Sequence, residues 1–111
     1  MKIPSNNQQD SFIILTLPSS FCNRNAFVVR DGLYKYLENQ TYNNVILDFY
    51  KTEEMDTTAL AILVEAIRLF SAQDQGLYIT NVSGNPQAWL SEINIMQMLP
   101  VIDASKLHPV A

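Results

Sequence analysis

Apolar residues change their spacing several times along this chain, and each change marks an element. Ser11-Phe12-Ile13-Ile14-Leu15-Thr16-Leu17 is a β-branched and aromatic run closed by Pro18, the composition of a strand buried along most of its length. Met1-Lys2-Ile3 is expected to pair beside it as a short edge strand, because the stretch from Ser5 to Asp10 has turn composition. From Asn25 the spacing turns helical. Ala26, Val29, Leu33 and Leu37 share one face and Arg30, Asp31, Lys35 and Glu38 the other, which predicts a surface helix over a sheet. After a polar break from Asn39 to Asn44, the run Val45 to Tyr50 is apolar on both faces except at Asp48, as a central parallel strand would be.

The segment Thr57 to Ala72 predicts a second helix, apolar nearly all round through Ala59, Leu60, Ile62, Leu63, Val64, Ala66, Ile67, Leu69 and Phe70. Gln75-Gly76 then reads as a glycine stop, and Leu77 to Val82 as the next strand. Asn85 and Pro86 are expected to open a third helix, with Asn as cap and Pro in the first turn, running through Trp89, Leu90 and Ile93 toward Met96. Val101-Ile102 is the candidate for a short last strand. Alternation of this kind predicts an α/β fold, with parallel neighbouring strands, right-handed crossovers and helices packed on the sheet.

At 111 residues and 48% hydrophobic content, the chain suits one domain, residues 1–111, with a tail from 104. Eleven acidic against seven basic residues leave a net charge of -4, and the basic positions are scattered, which argues against a nucleic-acid partner. The single cysteine, Cys22, excludes an intrachain disulfide and a paired-thiol zinc site, and fits a reducing cytoplasm. No apolar run reaches the roughly 18 residues of a membrane span, and Met1 to Asp10 lacks signal-peptide character, so neither membrane insertion nor export is expected.

Little in the chain suggests catalysis. With only Gly32, Gly76 and Gly84, no glycine-rich loop joins a strand to a helix, so phosphate-cradling motifs are missing and no cofactor is expected. His108, the only histidine, sits in the tail, where nothing holds it against a nucleophile. Cys22 reads as a small, half-buried packing residue and Trp89 as a packing anchor. Glu53, Glu54 and Asp56 follow the strand that carries Asp48, which raises the idea of a magnesium-dependent aspartyl phosphorylation site. No acidic pair follows the first strand, however, and no lysine ends a late one, so the cluster reads as surface carboxylates.

The passage from Val45 to Leu63 resembles the signature of STAS domains, the fold of anti-sigma factor antagonists. There an apolar strand ends in an acidic or amide residue, a short loop follows, and Asp-Ser/Thr-Ser/Thr-Gly-Leu opens the next helix. Asp48, Asp56, Thr57, Thr58 and Leu60 match, while Ala59 replaces the usual glycine, a change expected to remove backbone freedom where the loop packs. Leu15 to Leu37 and Gly76 to Ile102 are similar to the family's flanking elements. The resemblance implies a mixed sheet of four to five strands with parallel central strands and helices on it. It also implies a non-enzymatic regulatory module that switches partners through phosphorylation at Thr57, with Thr58 the second choice. Asp48, Glu54, Asp56, Thr58, Ala59 and Ile62 would form the switch loop and partner surface.

The implied partners are an anti-sigma factor or related serine/threonine kinase, and a phosphatase that resets the site. The alternative within the same resemblance is a cytoplasmic accessory subunit of a lipid-transport ABC system. Spacing by itself favours a simpler role, because Asp and Thr are preferred at helix starts and a cap contributes about 1 kcal/mol without regulating anything; the same residues can do both. Ala59 and Ile62 are weighed as an exposed contact patch against burial between the sheet and the first helix. The short tail leaves a surface that would favour a homodimer.

Overall fold

The computed structural model describes residues 11–40 and 42–103. Three parallel strands, β1 (Phe12–Thr16), β3 (Asn44–Asp48) and β5 (Gly76–Thr80), form a sheet in the order β1-β3-β5. Its register places Leu15 beside Leu47 and Leu47 beside Ile79. Side chains alternate across a strand, so these three share one face with Val45 and Leu77, while Phe12, Ile46 and Tyr78 occupy the other. Two helices, α1 (Asn23–Asn39) and α2 (Thr57–Ala72), cover the first face, burying Leu33, Leu37, Leu63, Ala66 and Phe70 against it. The three main strands and the helices read from the apolar spacing are all present.

A second pairing was not foreseen. β2 (Ser20–Phe21) and β4 (Glu54–Met55) form a small parallel ladder beyond the ends of β1 and β3. The last-strand segment reduces to one parallel bridge between Ile79 and Val101. Among the described residues the sheet therefore has three strands, fewer than the four to five expected. Met1-Lys2-Ile3, the residues 104–111 and His108 lie outside the described residues.

Several boundaries shift for identifiable reasons. β3 stops at Asp48 instead of Tyr50, because the Asp48 carboxylate accepts the Tyr50 amide at 2.9 Å and turns the chain. β5 stops at Thr80 instead of Val82, because Asn81 takes a left-handed conformation, φ 58°. α1 begins two residues before Asn25, at Asn23. The third helix, α3 (Gly84–Glu92), is preceded by Ser83, so Asn85 is not its cap; Pro86 still falls in the first turn, where its missing N–H costs no hydrogen bond. The chain then leaves the helix before Met96, which opens a 3-10 turn, Met96–Met98.

The role of Gly76 also changes. After α2 it is Asp74, φ 57°, that adopts the left-handed conformation, and the Gln75 amide returns to the Phe70 carbonyl at 2.8 Å. Gly76 instead starts β5 wedged between two side chains: a β-carbon there would collide with both the Asn44 amide oxygen and the Tyr78 ring. Asn44 and Tyr78 are themselves buried, so neither can retreat.

Two measurements by chemical denaturation check this core. Leu63→Ala, at a fully buried position, is expected to cost roughly 2–5 kcal/mol, whereas Val64→Ala, at a half-exposed neighbour, stays below about 1 kcal/mol. Gly76→Ala is expected to lose about 1–3 kcal/mol through overpacking, despite alanine's lower unfolded-state entropy; a neutral result would refute the steric role.

Candidate functional site

The loops that leave the C-terminal ends of β1, β3 and β5 gather at one end of the sheet, the end where open parallel sheets hold their sites. Their backbones are tied together. Thr52, buried, donates its hydroxyl to the Pro18 carbonyl at 2.9 Å, and the amides of Glu53 and Glu54 both donate to the Ser19 carbonyl, at 2.8 and 3.2 Å. Beneath them Phe21 meets Phe49 edge-on with ring centroids 6.1 Å apart. The segment from Lys51 to Asp56, expected from sequence to be a loop, is thus tied to the loop after β1 and contributes β4 to the small ladder.

Asp56 is the residue on which this end converges. Its backbone is extended, φ -121° and ψ -179°, and Oδ1 accepts the Ala59 amide at 2.9 Å, capping α2 as expected. Oδ2 accepts the amide of Asn23, the first residue of α1, at 3.1 Å. Cys22, half-buried at the cap position of α1, makes no side-chain cap bond. One carboxylate therefore serves the N-termini of two helices, near the positive end of both dipoles. Asn23, φ 49°, was not singled out from sequence; asparagine's tolerance of left-handed backbone was the only available signal.

Asp48 is a second node. Its Oδ1 accepts the Tyr50 amide at 2.9 Å and the Asn81 side-chain amide at 3.0 Å, joining the loop after β3 to the loop after β5. Left-handed Asn81 was likewise not anticipated.

Of the remaining candidates, Thr57 is exposed at the first position of α2 and Thr58 is half-buried. The amides of both lack an acceptor among the described residues, as the first turn of a helix dictates. Ala59 is fully buried, and its backbone is not in the left-handed region, so this position makes no demand for glycine; the expected loss of backbone freedom does not arise. Ile62, 9% exposed, points into the core with Leu63. The exposed patch weighed for Ala59 and Ile62 is therefore corrected: α2 packs on the sheet beside α1, and both side chains belong to that buried core. In the first half of α2 the apolar residues presented to solvent are Ala61 and Val64, one and two turns beyond Thr57.

Glu53 and Glu54 are exposed and face α3. Trp89 is half-buried rather than sunk in the core, and with Met55 and Pro86 it lines a groove of about 420 Å³ beside the two glutamates. Among the described residues no three side chains of metal-binding type converge. Displaced titrations occur on α2 and on the sheet: the hydrogen bond from Arg68 holds the Glu65 carboxyl below its ordinary range, and burial pushes the Tyr78 phenol up. Among the described residues no helix is long and apolar enough to cross a membrane.

No curated protein matches the sequence at a significant level. Among solved structures the chain is similar to the TM1081 protein of Thermotoga maritima, with a TM-score of 0.69 and 22% identity over 85% of this chain and 80% of that one. It is also similar to the anti-sigma factor antagonist SpoIIAA, unphosphorylated, with a TM-score of 0.71 and 12% identity over 86% of this chain and 82% of that one. The phosphorylated form of the Bacillus protein gives a TM-score of 0.66 over 86% and 85% of the two chains. A sulfate transporter family protein from Wolinella succinogenes follows at 0.60, with 20% identity over 84% and 75%. At these identities the likenesses establish the fold. The STAS domain model matches residues 4–108, nearly the entire sequence, and the chain belongs to the STAS domain family.

Proposed function

We propose that this STAS domain is a non-enzymatic regulatory module of the anti-sigma factor antagonist type, acting in the cytoplasm and changing partners according to the phosphorylation of Thr57. The observation that carries the reading is the placement of Thr57: exposed, at the first position of α2, directly after the aspartate that caps the helix. A kinase can reach its hydroxyl without disturbing the core. Thr58, half-buried, is the poorer acceptor. Solved SpoIIAA structures in phosphorylated and unphosphorylated forms give a precedent on the same fold.

The expected effect of phosphate follows from its surroundings. Nearly two negative charges at the N-terminus of α2 would face unpaired amides and the positive end of the helix dipole, so the fold tolerates them. The surface that continues from Thr57 is the apolar strip of Ala61 and Val64. A partner lying on that strip would have to remove water from the phosphate, a penalty an apolar contact cannot offset. Phosphorylation would release the partner, an anti-sigma factor or related serine/threonine kinase, and a phosphatase would restore binding. A second reading is a cytoplasmic accessory subunit of a lipid-transport ABC system; the Wolinella neighbour is named for a sulfate transporter family and shares only the fold, and the genes adjacent to this one decide between the two.

Pull-down from native cytoplasm with wild type, Thr57→Ala and Thr57→Glu, with phosphopeptide mapping, tests the switch. Wild type and Thr57→Ala should retain a common partner that Thr57→Glu loses, and phosphate should map to Thr57. Equal recovery by all three, with no phosphate on Thr57 or Thr58, would show the switch reading to be wrong. Stability separates the cap from the switch: Asp56→Ala is expected to cost about 2 kcal/mol, at the upper end for a cap because it uncaps two helices, while Thr57→Ala costs under about 0.5 kcal/mol.

A further inference from the structure

The groove between β4 and α3 has a composition that specifies its occupant. One wall carries Glu53 and Glu54, both exposed, and Met55; the other carries Asn85, Pro86 and the half-buried Trp89, with Ser19 at its edge. Among the described residues no basic side chain lines it, and the chain as a whole carries a net charge of -4. At about 420 Å³ it lies within the roughly 300–1,000 Å³ range of sites that hold a discrete group.

An apolar plug would cover the two carboxylates and remove their water without giving them donors. A lysine would satisfy charge but is strongly hydrated and cannot stack. A guanidinium meets both demands: its flat face lies against an indole, and its N–H fork suits carboxylates. We propose that the groove between β4 and α3 receives an arginine side chain from a partner protein, with Trp89 stacking on the guanidinium and Glu53 and Glu54 accepting its N–H groups. The proposal rests on the reading of this domain as a protein-binding module and names the chemistry of one partner contact. The groove lies at β4, two residues before the start of α2 at Thr57.

Trp89 is the chain's only tryptophan, so its emission reports on this groove directly. The probe is the blocked tetrapeptide acetyl-Ala-Arg-Arg-Ala-amide, titrated into the full chain beside its lysine and citrulline counterparts. A saturable change in emission is expected with arginine, weakening as salt is raised, with affinity about tenfold above the citrulline peptide, which keeps the shape but lacks the charge. The double variant Glu53→Gln/Glu54→Gln, altered only at exposed positions, should keep the wild-type melting temperature and lose about tenfold in arginine affinity. Equal binding of arginine and citrulline peptides, or unchanged arginine affinity in the double variant, overturns the proposal. If arginine selectivity is missing while Thr57→Glu still releases the native partner, the groove proposal falls and the Thr57 reading stands. Selective arginine binding alongside a Thr57→Glu variant that keeps every partner supports the groove and overturns the Thr57 reading.

Discussion

The carboxylate of Asp56 holds together the region of this domain that faces its surroundings. Two helices begin side by side over the loops at the end of a parallel sheet, and each start leaves backbone amides without intrahelical acceptors. α1 follows β2 after a single residue, and Cys22 at its cap position supplies no side-chain acceptor. Asp56 supplies it from 33 residues away, while its other oxygen caps its own helix. A short neutral cap such as serine has one oxygen and would serve one helix; the forked, charged side chain serves both.

The proposed regulation at the residue after Asp56 rests on this arrangement. The aspartate is fixed by two amides, the loop before it is pinned by Thr52 and by the Ser19 carbonyl, and Ala59 is locked in the core. Thr57 is therefore an exposed side chain on a backbone that has no freedom to fold it away. A charge added there changes the surface and leaves the scaffold in place, which is what a binding switch requires. Asp48 acts in the same way at the end of β3, tying the loop that follows to Asn81. The loops after β3 and β5 are thereby tied to each other.

The buried face of α2 also has a cost for recognition. Nearly all-round apolar composition left Ala59 and Ile62 open to either an exposed patch or burial, and a helix packed on a sheet and beside a second helix has two faces to bury. Near Thr57 what remains outside is narrow, Ala61 and Val64, with Arg68, Ser71 and Ala72 exposed farther along the helix. The groove between α3 and β4, acidic and tryptophan-lined, is built from other elements.

Local chemistry was enough for much of this protein. The apolar, β-branched runs of β1, β3 and β5, the helical spacing of α1 and α2, and the start of α2 at Asp56-Thr57 are properties of neighbouring residues, and the chain reads them out wherever it packs. Elements that depend on residues far apart were another matter. The β2–β4 ladder has two residues in each strand, too few to show a period, and exists because Ser19 lies beside Glu53 in space. The need for glycine at position 76 arises from Asn44 and Tyr78, not from the helix before it. The second bond of Asp56, the burial of Ile62 and the groove at Trp89 are likewise contacts between segments brought together only by folding, and no local pattern encodes which distant group will sit opposite a given side chain.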